Sequence, residues 1–291
     1  MKLKPIHFVT IILSSLVAII TLIFYFTDLD LLISGYFYDP SGPVRFPVGN
    51  MAPWTYFNEM NRDYPIIAAL ALLLVFLIIG LVKKRNRPYL VYTGFILISV
   101  LVSVVIVEGL FKGIEIDDFY IGWSRPRPRE LEQFGEDPLK ALDFYRIWEP
   151  AFLDGLSNTN SSFPSGHVAT GGYIIAFFFM FNNVDFLMEV AGGKSKGKKI
   201  LFNSLKYGFL LLSIVLGIML AISRISAGAH FASDSMYSYV FTWGPTAFMY
   251  YLVFNIPKKE RKAFEKMKAA AAPRESSSPP PEGFGRISKD Q

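Results

Sequence analysis

The residues able to do chemistry in this chain gather in three short clusters, 112–128, 164–167 and 223–234. The clusters combine cations, a carboxylate and two of the three histidines, His167 and His230, in a chain that is 52% hydrophobic and 18% charged. Histidine changes its charge nearest neutral pH, so this placement favours proton transfer or nucleophilic attack. The accompanying arginines and lysine indicate a phosphate group as the ligand.

The second cluster, Pro164-Ser165-Gly166-His167, has the pattern of a helix start. Proline fits the first turn of a helix, where its missing N–H is not needed. The backbone N–H groups of Ser165, Gly166 and His167 would then lie at the positive end of the helix dipole, where phosphate oxygens bind. The alternative is a simple helix cap followed by a histidine at the membrane surface.

The third cluster is Ser223-Arg224, five residues, His230, three residues and Asp234. In one helical turn, an i, i+4 spacing lets the Asp234 carboxylate hold one ring nitrogen of His230 and leave the other as a nucleophile. Arg224 can offer its planar guanidinium to a phosphoryl group. The alternative is an Arg–Asp pair beside a surface histidine, since ionisable groups at span ends cost little.

The first cluster places two guanidinium groups, Arg125 and Arg127, on a stiff segment with alternating prolines, and Lys112 lies upstream. Glu108 precedes Lys112 by four residues, so an ion pair within one helix competes for this lysine. Basic residues near span ends also serve as membrane anchors, which leaves a purely structural role open.

Long apolar runs must position these clusters. Ile6 to Phe26 has 21 residues with one ionisable group, and Pro65 to Val82 has 18 with none. Each run is long enough to cross about 30 Å of hydrocarbon, and the first lacks a signal-peptide cleavage site. We therefore predict an all-α fold, an integral membrane bundle of six transmembrane helices, whose other spans are Tyr89 to Phe111, His167 to Phe181, Tyr207 to Ile222 and Met236 to Ile256.

Lysine and arginine indicate the orientation of these spans, because short loops rich in them stay in the cytoplasm. Such loops follow the second and sixth runs and precede the fifth, and Lys2 and Lys4 precede the first. Both termini are then cytoplasmic, and segments 27–64, 113–163 and 223–235 lie outside. All three clusters therefore face the same, extracytoplasmic side.

The loop 113–163 is long and rich in aromatic and charged residues, which predicts an ordered extracytoplasmic cap that segment 27–64 joins. The six-span domain is expected to cover 1–268, and the Ala-, Ser- and Pro-rich segment 269–291 to form a disordered cytoplasmic tail. The net charge of +5 arises mainly in cytoplasmic loops and suits anionic lipid, not nucleic acid. The chain has no cysteine, which excludes disulfides and thiolate metal sites.

Together the clusters resemble the type 2 phosphatidic acid phosphatase superfamily, whose pattern is Lys-x6-Arg-Pro, Pro-Ser-Gly-His and Ser-Arg-x5-His-x3-Asp. The second and third parts match residue for residue at 164–167 and 223–234. The first part departs, since Arg127-Pro128 would require a lysine at position 120, where tyrosine stands. An insertion before the Arg-Pro pair would restore the pattern, so Lys112 is retained, with Arg125 and Arg127 both as candidates.

The resemblance implies a role for each residue. His230 attacks phosphorus and forms a phosphohistidine, Asp234 orients it, and His167 protonates the leaving alkoxide before activating water. The oxygens of the phosphate are bound by Lys112, Arg125, Arg127, Ser165, Gly166 and Arg224. No metal and no cofactor are implied, because phosphoryl transfer needs chiefly positioning and charge stabilisation, which fixed cations supply.

The implied function is a metal-independent membrane lipid phosphatase, which hydrolyses a phosphomonoester or diphosphate on the outer side. Segments 123–135 and 228–231 are similar to bacterial relatives that act on lipid A, phosphatidylglycerophosphate or undecaprenyl diphosphate, and lipid A ranks first. The expected location is a bacterial inner membrane, with the site facing the periplasm and a phosphorylated membrane lipid as the partner. A phosphotransferase of the same superfamily and a transporter that binds anionic lipids remain as alternatives.

Overall fold

A computed structural model describes residues 5–60, 63–82, 88–116, 119–135, 141–156 and 161–271. These residues are mainly helical, as the sequence predicted. Two strands of three residues, β1 (Ile114–Ile116) and β2 (Phe119–Ile121), form an antiparallel hairpin. The helices are, in chain order, α1 (Pro5–Phe26), α2 (Leu29–Tyr36), α3 (Trp54–Asn58), α4 (Asp63–Val82), α5 (Pro88–Val104), α6 (Gly166–Tyr173), α7 (Ile175–Met180), α8 (Val184–Val190), α9 (Lys196–Ser226), α10 (Ala232–Phe248) and α11 (Ile256–Ala271).

Helices lie at each place where the sequence predicted a span, but the count of six is not confirmed. Among the described residues, Leu90–Phe111 and α9 are long and apolar enough to cross a membrane. Two bent pairs raise the number to four if each is one span: Ser14–Phe26 with α2, bent by 80°, and Gly166–Met180 with α8, bent by 65°. In α10 the apolar run is interrupted, because this helix of 17 residues buries a row of hydroxyl side chains, Ser233, Ser235, Ser238, Thr242 and Thr246.

Small residues and hydroxyl groups hold α6 against α9. A Cβ atom on Gly171 would lie 2.8 Å from the Cα of Gly217, so the two backbones meet directly. The Ser213 hydroxyl donates to the Gly171 carbonyl at 2.8 Å, and the Tyr239 hydroxyl of α10 donates to the Ser213 carbonyl at 2.9 Å. Such close contacts replace the hydrophobic effect where lipid surrounds a bundle. They fix the helices that carry the second and third clusters.

Segment 27–64 packs on the loop 113–163 and on the start of α10. Arg146 pairs with Asp28 at 2.8 Å, and the rings of Phe46 and Phe134 lie 6.1 Å apart in a buried cluster that also contains Phe231. These contacts cover the end of the bundle where the clusters lie. The domain limits remain predictions: α11 extends to Ala271, and the rest of the predicted tail lies outside the described residues.

Candidate active site

The second and third clusters meet at the start of α10. The Nδ1 atom of His230 lies 2.5 Å from the carbonyl oxygen of Ser162, and the Ser162 hydroxyl donates to the Asp234 carboxylate at 2.8 Å. The Ser165 amide donates to the Asp234 carbonyl at 3.5 Å. The start of α6 is therefore docked on the start of α10, which brings His167 to the same end of the bundle as His230.

The Ser162 carbonyl determines the tautomer of His230. A carbonyl oxygen only accepts, so the proton of the neutral ring sits on Nδ1 and the lone pair on Nε2. Burial and the positive charges of Arg224, Lys112 and Arg127 hold the pKa of His230 well below its usual value. The buried ring is therefore neutral at neutral pH, which is the form that a nucleophile requires.

The spacing predicted a hydrogen bond between the Asp234 carboxylate and His230, but the structure does not contain this hydrogen bond. The Asp234 Oδ2 atom lies 3.9 Å from His230 Nδ1, beyond hydrogen-bond distance. Asp234 is the third residue of α10, and its Oδ2 accepts the N–H of Phe231 at 2.7 Å, as a carboxylate at this helix position commonly does. The orienting hydrogen bond comes instead from Ser162. The negative charge still lies close enough to stabilise a positive charge on His230.

Arg125 is wholly buried in an ionic network. Its Nη1 donates to Asp234 at 2.5 Å, its Nη2 to Asp30 at 2.9 Å, and its Nε to the Tyr145 carbonyl at 2.7 Å. The Phe231 ring centroid lies 4.2 Å from the guanidinium carbon. The side chain has no exposed surface, and two carboxylates balance its charge. Arg125 thus offers no exposed atom to a ligand in this structure, and its predicted phosphate contact stays a prediction.

Asp30 completes this network and was missed by the sequence reasoning. Its carboxylate accepts the Ser233 amide at 2.9 Å and the Ser233 hydroxyl at 2.5 Å, in addition to Arg125. A lone carboxylate early in the apolar helix α2 was a usable signal, because an ionised group in such a segment needs a partner. Ser162 carried no comparable signal, since single serines in loops are common.

Three cations act on His230, and each lowers its pKa: Arg224, Lys112 and Arg127. Arg127 is half-buried, and its Nε atom is buried without a hydrogen-bond partner among the described residues. Arg224 donates to the Asn58 side chain at 2.5 Å. Lys112 pairs with Glu108 at 3.3 Å, which is the competition that their spacing indicated. Of the two candidate arginines, Arg127 is the one whose charge lowers the pKa of His230.

The unusual distance between Lys112 and the Arg-Pro pairs has a structural explanation. The π-helical turn Val105–Phe111 extends α5, after which the β1–β2 hairpin leaves the bundle. The chain returns at Trp123, whose amide donates to the Phe111 carbonyl at 2.8 Å. The hairpin thus lengthens the connection between Lys112 and the Arg-Pro pairs, where the spacing predicted an insertion. The Phe111 ring also packs 5.4 Å from that of Phe163, so Lys112 lies next to the segment that leads into α6.

The start of α6 offers fewer N–H groups than the sequence predicted. Ser165 is the N-cap, its hydroxyl accepts the Val168 amide at 3.5 Å, and its own amide is directed at Asp234. Ser165 therefore holds the helix start in place, and the phosphate contact predicted for it stays a prediction. Gly166 is the first residue of α6, where the helix provides no acceptor for the amide, so its predicted role stands as a prediction.

A group of three or more histidine, aspartate or glutamate side chains arranged to hold a metal ion does not occur within the described part of the chain. The positive charge near His230 comes from side chains. Metal independence remains a prediction, which a chelator tests.

Comparisons with known proteins agree with the motifs. Residues 88–258 match the family model of the PAP2 superfamily, a region that contains all three clusters. A Lipid A 4'-phosphatase of Francisella tularensis subsp. novicida (strain U112) is 26% identical over 253 residues, which cover 86% of this chain and 97% of that protein. No solved structure matches the chain.

Proposed function

The chain belongs to the PAP2 superfamily, as its motifs indicated, and from this premise we propose that it is an integral membrane lipid phosphatase that works through a phosphohistidine. The observation that carries this proposal is the state of His230. The ring is buried and neutral, the Ser162 carbonyl holds its Nδ1 proton, and three cations lie near it. This arrangement suits attack on a phosphate monoester or diphosphate.

The chemistry has two steps. In the first, the Nε2 lone pair of His230 forms a bond to phosphorus, the bond from phosphorus to the lipid oxygen breaks, and His167 gives its proton to that oxygen. In the second, His167 takes a proton from water, the water oxygen attacks phosphorus, and the P–N bond breaks to release phosphate. Ser162 and Asp234 stabilise the positive ring of the intermediate through a hydrogen bond and a nearby negative charge.

The cations serve both the nucleophile and the phosphate. In the free protein, burial and, after it, these charges lower the pKa of His230 and so keep the ring unprotonated. A bound phosphate brings negative charge into the same space and offsets them, while Arg127, Arg224, Lys112 and the Gly166 amide balance the charge of the transferred group. Preorganised contacts of this kind contribute much of the rate enhancement in phosphoryl transfer.

For the membrane arrangement we propose six spans, with both termini in the cytoplasm and the site at the outer surface of a bacterial inner membrane, facing the periplasm. The alternation of basic loops supports this orientation. The bacterial relative supports the type of cell. Domain 1–268 would contain all spans, with the cap built from 27–64 and 113–163.

As the substrate we propose lipid A, because a relative whose match covers 86% of this chain is a Lipid A 4'-phosphatase. Phosphatidylglycerophosphate and undecaprenyl diphosphate remain the alternatives. A phosphotransferase would pass the phosphoryl group from His230 to a lipid alcohol instead of water, and a transporter would bind lipid phosphates without turnover.

The test uses purified full-length protein and a panel of these lipid phosphates, with and without a chelator. We expect release of inorganic phosphate that survives the chelator and is abolished by His230→Ala. The control is His7→Ala, which removes the one histidine outside the clusters. With an aryl phosphate, whose leaving group needs no proton, His167→Ala is expected to trap an acid-labile label on His230.

Three outcomes would count against this function. A label on any residue other than His230 would refute the assignment of the nucleophile. Transfer to a lipid alcohol without phosphate release would identify a phosphotransferase. Binding of lipid phosphates without any turnover would support the transporter.

A further inference from the structure

A cleft of about 440 Å³ opens beside the candidate site, lined by residues of segments 44–58 and 129–135 and by Leu142 and Ala227. Its size is in the range of about 300 to 1,000 Å³ that is usual for small-molecule sites. Phe46 and Phe134 are among its apolar lining residues, and its polar lining residues have planar side-chain ends: Arg45, Asn50, Asn58, Arg129 and Glu130. None of them is a reacting group in the proposed chemistry.

The cleft is joined to the active site by direct contacts. Ala227, which lines it, stands three residues before His230. The Arg129 amide donates to the Gly228 carbonyl at 3.0 Å, in the turn that leads to His230. Asn58 lines the cleft and accepts a hydrogen bond from Arg224 at 2.5 Å. A molecule whose phosphate lies at His230 is therefore adjacent to this cleft.

Positive charge continues from the active site into the cleft. The charge of Arg127 lowers the pKa of His230. The pKa of Arg127 is itself lowered, chiefly by burial and next by the charge of Arg129. The Arg129 side chain is exposed and forms no ion pair with another described residue. The Glu130 carboxylate accepts the Arg127 amide at 2.9 Å. Arg45 and Arg129 thus give the lining an excess of positive charge.

We infer that this cleft is a headgroup subsite, which takes a polyhydroxylated, anionic unit such as a phosphorylated sugar from the lipid whose phosphate reacts at His230. Asparagine side chains donate and accept, as sugar hydroxyls require, and arginine suits a second anionic group. A lipid phosphate without a headgroup would leave the cleft to water. The inference rests on the proposed function for its reacting group.

The experiment compares lipid A, which has a sugar headgroup, with phosphatidic acid, which has none. For each variant, kcat/KM is measured on both, and the ratio of lipid A to phosphatidic acid is the readout. Arg129→Ala and Asn50→Ala are each expected to lower this ratio, Arg129→Ala by at least about tenfold because it loses a charge-assisted hydrogen bond. The control, Arg146→Ala, removes a cap arginine that pairs with Asp28 and does not line the cleft, and should leave the ratio unchanged.

A second measurement separates this inference from the proposed function. Binding of lipid A micelles and of phosphatidic acid vesicles is measured in the His230→Ala background, with and without Arg129→Ala. Selective weakening of lipid A binding supports the subsite even if the wild-type protein hydrolyses neither lipid. An equal change in binding of both lipids, or no change for lipid A, overturns the subsite even if hydrolysis is observed.

Discussion

Replacing Arg125 with methionine is expected to lower the free energy of unfolding. Its main effect is on the stability of the fold and not on phosphate binding. Arg125 has no exposed surface and pairs with both Asp30 and Asp234. Removing one partner of a buried ion pair costs about 3–5 kcal/mol, because it leaves the other charge buried without compensation. Here two carboxylates lose their cation. The free energy of unfolding should therefore fall by at least about 3–5 kcal/mol.

Arg127→Met is the matched comparison. Arg127 is half-buried, and the described residues give it no carboxylate in an ion pair. Its removal should change the free energy of unfolding by about 1 kcal/mol or less, as for most substitutions away from buried networks. It should lower kcat/KM by at least about 10²-fold, the scale of one preorganised contact to a transition state.

The assay follows unfolding of both variants in detergent by tryptophan fluorescence, together with kcat/KM on the same preparations. A double variant, Asp30→Asn with Arg125→Met, removes one of the stranded charges and should recover part of the lost stability. The reasoning would be refuted if Arg125→Met unfolds like the wild type and loses activity as Arg127→Met does. That result would return Arg125 to the phosphate site.

Three further predictions follow from the same contacts. His230 acts in its neutral form, so kcat/KM falls as the pH drops through its lowered pKa. Lys112→Met removes a positive charge that lowers this pKa and should move the acid limb of the pH profile to higher pH. An unmoved acid limb would mean that Lys112 lies too far from His230 to affect its protonation. Gly228→Ala should cost about 1–3 kcal/mol and reduce activity, since Gly228 has a φ of 62° and its Cβ would lie 2.6 Å from a phenylalanine ring; wild-type thermal unfolding would contradict this. In this cysteine-free chain, Leu153→Cys should react with an impermeant thiol reagent in intact cells and Ser195→Cys should not, and the reverse would place the site in the cytoplasm.

Much of the site's chemistry could be predicted from the sequence. Motif residues that are close together in the chain are positioned by local structure alone. The pattern Pro-Ser-Gly-His predicted a helix start, and α6 begins at Gly166 with Ser165 as its cap. Apolar runs predicted helices at every proposed span, since a run of such length must bury its backbone polar groups internally. The resemblance to the superfamily rested on the same local patterns and is confirmed by the match over residues 88–258.

Only the tertiary structure decided between chemically equal candidates. Arg125 and Arg127 lie two positions apart and each precedes a proline, but Arg125 lies where Asp30, 95 residues away, meets Asp234. Likewise, the i, i+4 spacing favoured Asp234 as the partner of His230, whereas Ser162, 68 residues away, makes the hydrogen bond. Pattern and spacing describe one helix at a time. The pairing of buried polar groups depends on which distant segments the fold brings within about 3 Å, and this distance is decided by packing between helices.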